Sequence, residues 1–283
     1  MAFWDKIGSS GNVEDRRGMG GGGLAISGIT GLVLFLAFMF LGGQDTTVLD
    51  QLLGQVSQQQ ATQSGEQPPE FQGADDYEVF ASKVLGSNND TWGGIFDTQG
   101  ASYQAPKLVL FRQVTQSGCG IASGAVGPHY CPNDQTIYLD ETFFDELQKR
   151  FGGSSGDVAQ AYVIAHEAAH HVQNLTGTME QVMAAQQQGA GDANQLSVAL
   201  ELQADCYAGI WARSVSALGV FENDQEIKEA LSAAAAVGDD HVQETMQGRV
   251  TPENWTHGSS EQRVKWFTTG YKQPSVSACD TFR

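Results

Sequence analysis

Residues 166–170 read His166-Glu167-Ala168-Ala169-His170, inside the run AQAYVIAHEAAHHVQNL. On an α-helix each residue turns about 100°, so positions four apart lie about 40° apart on one face. Two imidazoles placed this way can hold a single Zn²⁺, and Glu167 falls where it can act as general base toward an attacking water. The chemistry implied is metal-assisted hydrolysis of an amide. The flanking residues Ala159, Ala161, Tyr162, Val163, Ile164 and Ala165 make the helix largely apolar. A buried helix does not usually carry His, Glu, His, His without partners for them, which argues against an amphipathic helix with two exposed histidines.

Hydrolytic zinc sites use three protein ligands and keep a fourth position open. The pattern H-x-x-G-x-x-H, which would supply the third ligand locally, is absent: His170 is followed by His171, Val172, Gln173 and Asn174. A later helix, LSVALELQADCYAGIWARSVSAL, offers Glu201 and Asp205, four apart, among Leu196, Val198, Leu200, Leu202, Ala204, Ile210 and Trp211. Carboxylates in so apolar a helix need a reason. Glu201 as third ligand and Asp205 as acceptor for a ligand histidine's free N–H would supply it. The plainer reading is a pair of solvated helix charges. His171 lies about 100° around the helix from His170 and does not share the metal. His129, His241 and the acidic pair Asp239-Asp240 read as structural or surface residues.

H-E-x-x-H followed by E-x-x-x-D on a later helix resembles the Glu-type zincins, the gluzincins. The stretch His257-Gly258-Ser259-Ser260-Glu261-Gln262-Arg263 resembles the H-P-x-x-x-x-R element of membrane-associated metallopeptidases in that group, whose His and Arg lie near the substrate carbonyl and the ligand shell. Gly258 stands where that element has Pro. Most of the chain is similar to a family of bacterial neutral zinc metallopeptidases with a single membrane anchor. The similarity runs through NVEDRRG at 12–18, GCG at 118–120, CPNDQTIYLD at 131–140, HHVQ at 170–173, ELQADCYAGIWA at 201–212 and HGSSEQR at 257–263. The family commonly has Gly where Ala169 stands. The resemblance implies His166, His170 and Glu201 on one Zn²⁺, Glu167 as general base and His257 donating to the oxyanion. It implies that Asp205 orients a ligand imidazole, and that Arg263 binds Asp205 or Glu201, or holds the substrate main chain. The expected activity is hydrolysis of protein or peptide substrates. The alternatives are a zinc amidase acting on cell-wall peptides and an inactive metal-binding module; an intact Glu167 weighs against the latter.

The chain has 283 residues and a net charge of −18, which argues against nucleic acid as a partner. Residues 24–43, beginning LAISGITGLVLFLAFMFL, carry no charge and are about as long as a bilayer-spanning helix. This divides the chain into a tail (1–23), an anchor (24–43), a Gln-rich linker (44–72) and a catalytic domain (73–283). Lys6, Arg16 and Arg17 precede the anchor; Asp45 and Asp50 follow it, and the next basic residue is Lys83. The positive-inside rule then places the N-terminus in the cytoplasm and the catalytic domain outside it. Cys119, Cys131, Cys206 and Cys279 all follow the anchor. Four cysteines allow three pairings. Cys119–Cys131, closing a Gly-rich loop, and Cys206–Cys279, tying the C-terminal tail to the Glu201 helix, are favoured.

The expected fold class is α+β: a zincin-like, mainly helical metallopeptidase domain with a small β element, preceded by one transmembrane helix. Strands are expected at 107–115 and 135–140; the second, just ahead of the H-E-x-x-H helix, resembles the edge strand that lines the substrate cleft in zincins, the alternative being an ordinary paired strand. Helices are expected at 76–85, 141–151, 157–175, 192–218 and 223–237. A last helix is capped by Ser259 with Gln262 completing a capping box.

Overall fold

The computed structural model describes residues 2–18, 71–124, 126–221 and 224–283. The expected anchor and all but the last two residues of the linker lie outside these. Among the described residues no helix is long and apolar enough to cross a membrane. The fold is mixed α+β, with helices around a small sheet.

Strands β1 (Val13–Asp15), β2 (Lys107–Leu110) and β6 (Thr136–Leu139) run parallel, and β5 (His129–Cys131) pairs antiparallel with β6, giving the order β1-β2-β6-β5. β3 (Val114–Ser117) and β4 (Gly120–Ser123) form a separate hairpin. Two expectations are corrected here. The single strand at 107–115 is two strands, because Gln113 adopts a left-handed φ of 64° and turns the chain. Residues 135–140 do not form an edge: β6 lies between β2 and β5 and is buried at all four positions, as a strand covered on both faces must be. The edges are β1 and β5; β5 is only three residues long and bracketed by Pro128 and Pro132, which hid it in the sequence.

The larger correction concerns the N-terminus. Residues 2–18, expected as a tail separate from the catalytic domain, are part of it. β1 pairs with β2 in the register Val13–Leu108, Glu14–Val109, Asp15–Leu110, and Val13 is buried. Trp4 packs edge-on against Phe80 and Phe221 and donates its indole N–H to Asp157 at 2.8 Å. Arg17 forms ion pairs at 2.7 Å with Asp15, Asp75 and Glu141. Arg16 donates to Thr115 and Gln116, and Lys6 to the carbonyl of Gly219. The three cations that set the expected orientation are thus bound to the domain.

Helix α1 (Asp76–Thr98) is capped by the Asp75 side chain and runs a further 13 residues beyond Leu85. Its Ser87 and Asn88 are buried because their side chains bond back to the carbonyl of Val84, and Trp92 is fully buried beyond them. Helix α2 (Phe143–Phe151) ends at Gly152 in the left-handed conformation. Helix α3 (Asp157–Leu175) carries the H-E-x-x-H and is buried over most of its length. A short helix α4 (Thr178–Gln187) leads to α5 (Ala193–Ala217), capped by Asp192, which carries Glu201 and Asp205. Helices α6 (Asp224–Ala236), α7 (Asp239–Gln247) and α8 (Ser260–Lys272) complete the fold. The capping box of Ser259 and Gln262 opens α8.

Helix α3 packs against α5, α6, α1 and the β5–β6 edge of the sheet. Helices α5 and α8 cross so closely that a Cβ on Gly209 would lie 2.1 Å from the carbonyl of Phe267, and one on Gly270 would lie 1.8 Å from that of Cys206. The disulfide Cys206–Cys279 joins α5 to the C-terminal tail, and Cys119–Cys131 joins the β3–β4 hairpin to β5.

Candidate metal centre

His166 and His170 are one turn apart on α3, and Glu201 faces them from α5. Ligand atoms of all three lie within 4.8 Å of one another. Glu201 Oε2 is 3.0 Å from His166 Nε2, and Glu201 Oε1 is 3.4 Å from His170 Nε2. Each imidazole is fixed from its other nitrogen. His166 Nδ1 donates to Asp205 at 3.0 Å, and His170 Nδ1 donates to Gln173 Oε1 at 2.8 Å. The Gln173 amide is oriented in turn by donating to the carbonyl of Leu200 and to Gln203 Oε1. With Nδ1 turned to these acceptors, both Nε2 atoms face the Glu201 carboxylate. Without a metal a proton bridges that gap, and the donor set of two imidazoles and one carboxylate is one that Zn²⁺ takes in its place.

Electrostatics agree. Burial opposes the charged form of His166, but Asp205 and Glu201 outweigh it and hold its pKa up to about 10. His170 is raised in the same way against burial, chiefly by Glu201. Burial would raise the Glu201 carboxyl, yet the two imidazoles hold it well below the usual carboxylate range. The pocket draws positive charge to the point where the three donors converge.

Behind the ligands lies a buried ionic layer. Asp205 is fully buried and receives Arg263 Nε at 2.8 Å and Nη2 at 3.0 Å, together with the hydroxyl of Tyr162. Of the side chains open to Arg263 on sequence grounds, Asp205 is the one it meets. Arg263 is only 3 % exposed and also donates to the carbonyl of Val237 at 3.3 Å. Burial disfavours the Asp205 carboxylate, but Arg263 and His166 outweigh it and lower its pKa. Glu167 is buried beside the two histidines on α3.

His257 stands in the loop before α8. Its Nδ1 lies 3.3 Å from Asp239 Oδ1 and 3.0 Å from the hydroxyl of Thr256. Asp239 Oδ2 accepts the backbone N–H groups of Thr256, His257 and Gly258. Asp239 is therefore no surface charge: it holds the loop and the ring together. Burial lowers the pKa of His257, but Asp239 and Glu201 more than offset this, so the ring lies within the field of the metal site. Gly258 adopts a φ of +89°, which proline cannot reach, so the backbone here differs from the proline form of the element it resembles.

The remaining histidines have other tasks. His171 Nε2 donates to the carbonyl of Gln104, and its Nδ1 accepts from the Tyr130 hydroxyl at 2.9 Å; burial lowers its pKa and keeps it neutral. Through this bond, and that of Asn174 to Tyr130 at 3.0 Å, strand β5 is pinned to the catalytic helix. His129 stacks on Tyr138, and His241 contacts the carbonyl of Phe151. Sequence reasoning missed Tyr162, Gln173 and Asp239. Tyr162 and Gln173 carried a signal, lying four residues before His166 and three after His170; Asp239, 18 residues before His257, carried none.

Two helix-borne histidines with a glutamate between them, and a carboxylate from a separate helix, thus form a group that could hold a metal ion. The chain belongs to the family described as "Putative neutral zinc metallopeptidase", which matches residues 2–282. It is 43% identical over 288 residues to the uncharacterized protein YpfJ of Escherichia coli (strain K12), covering 99% of this chain and 98% of that one. It is 46% identical over 219 residues to the uncharacterized protein Rv2575 of Mycobacterium tuberculosis (strain ATCC 25618 / H37Rv), covering 74% of this chain and 73% of that one. No solved structure matches the chain.

Proposed function

We propose that the protein is a gluzincin-type zinc peptidase, with His166, His170 and Glu201 as ligands to one Zn²⁺ and a zincin-like catalytic domain. The observation that carries this reading is the convergence of two imidazole nitrogens and a carboxylate on one point, beside a buried Glu167. Zinc held there supplies Lewis-acid polarisation of the scissile carbonyl and of the attacking water. Glu167 takes the proton from that water and delivers it to the leaving amine. His257, held at Nδ1 by Asp239, presents Nε2 as a donor to the oxygen that becomes negative in the tetrahedral state. Asp205 and Gln173 keep the ligand imidazoles in the required tautomer, and Arg263 keeps Asp205 ionised. The edge of β5, pinned to α3 through Tyr130, is where an extended peptide would add by main-chain hydrogen bonds.

The two disulfides favour an oxidising compartment, outside the cytoplasm, with membrane attachment through residues 24–43. The test is hydrolysis of unfolded casein by zinc-loaded wild type and Glu167→Gln. Wild type cleaves it, and the variant loses at least about 100-fold in rate while keeping its zinc. Equal activity in both refutes the assignment of Glu167. Cleavage of purified wall stem peptides in place of casein moves the substrate to the cell wall.

A further inference from the structure

We propose that residues 2–18 lie in the same compartment as the domain at 73–283, on one side of any membrane the chain meets. Neighbouring strands sit roughly 4.7–4.9 Å apart, whereas the hydrocarbon core of a bilayer is about 30 Å thick. One crossing between Gly18 and Phe71 would put β1 and β2 on opposite faces, yet they pair in register over three residues. The pairing is not an isolated contact. Ala2 N and Trp4 Nε1 both donate to Asp157, the first residue of the catalytic helix, at 3.0 and 2.8 Å. Ser82 and the carbonyl of Ser10 join α1 to the segment at 2.6 Å, and Arg17 bridges to Asp75 and Glu141.

The charge rule pointed to opposite sides because it counted Lys6, Arg16 and Arg17 as free cations. Each has its partner within the domain, and Arg17 is shared among three carboxylates. A membrane-retained basic flank and a domain-bound basic flank look alike in sequence.

The test uses the full chain in spheroplasts of an expressing bacterium. The four cysteines are all disulfide-bonded, so the native protein gives no background to a maleimide. Ser9→Cys marks the N-terminal segment and Gln99→Cys marks the domain; both positions are exposed. A membrane-impermeant sulfonated maleimide labels the two variants to the same extent before lysis. Protection of both until lysis also supports a shared side, while moving that side to the cytoplasm. Labelling of Gln99→Cys before lysis, with Ser9→Cys reached only afterwards, overturns the proposal. Gly11→Cys, where a Cβ meets nothing within 4 Å, repeats the test at a second exposed site. The readout needs no peptidase activity, so its failure and that of the zinc-peptidase reading are separate results.

Discussion

At the scale of the residue, the site is a set of donors whose orientation is decided one shell out. Asp205 is the clearest case. Asp205→Asn leaves Arg263 buried without its counter-charge, and the metal-free protein loses about 3–5 kcal/mol in denaturant unfolding. Zinc affinity, measured by chelator competition, falls about 10–100-fold because His166 Nδ1–H then meets a neutral amide in place of a carboxylate. His166 also sets a pH dependence. Its folded pKa is raised from 6.5 to about 10, so its contribution to metal-free stability is complete below about 6.5 and is lost as pH rises through about 10. Thermal unfolding of the chelated protein thus shows a falling midpoint over that window, and zinc loading removes the fall. At His257 the sign is the same but the consequence is kinetic. Asp239 supports the protonated ring, so Asp239→Asn moves the alkaline limb of the peptidase profile to lower pH with zinc content unchanged. An unmoved limb shows that His257 does not act as an imidazolium. The shared faces were legible in sequence because helical spacing puts His166 with His170, and Glu201 with Asp205. Asp239 was not, since its role depends on α7 meeting the loop before α8, which no spacing records.

At the scale of the element, the crossing of α5 and α8 brings Arg263 to Asp205. That crossing depends on Gly209 and Gly270, each of which touches the opposing backbone. Gly270→Ala forces the helices apart; a loss of about 1–3 kcal/mol in thermal unfolding is expected, with weaker zinc binding as Arg263 withdraws. The same substitution at Gly100, where a Cβ meets nothing within 4 Å but φ is +71°, costs backbone strain and leaves zinc binding intact. Helix α5 was readable from its apolar run and the start of α8 from its capping box, whereas α1 was read only to Leu85, and α4 and α7 were not read. The strands were less so. β5 has three residues between two prolines, and β6 is covered on both faces, so neither shows the alternation that distinguishes an edge from an interior strand.

At the scale of the whole molecule, the N-terminal segment is structural. Trp4→Ala removes the contacts to Phe80 and Phe221 and the bond to Asp157, and lowers domain stability by up to about 3 kcal/mol in denaturant unfolding. A tail on the far side of a membrane would leave the domain untouched. Sequence could not foresee this, because a three-residue strand such as Val13–Asp15 acquires meaning only when β2 lies beside it, about 95 residues later. The disulfide between Cys206 and Cys279 spans 73 residues and closes the fold at its other end, against the helix that carries Glu201.

The central claim is that two imidazoles and one distant carboxylate hold a single zinc ion. Elemental analysis of the purified protein after dialysis, for wild type and Glu201→Ala side by side, tests it most directly. One zinc per wild-type chain, and its loss from the variant under the same dialysis, is the expected result. A wild-type chain that keeps no zinc, or a Glu201→Ala chain that keeps as much, contradicts it.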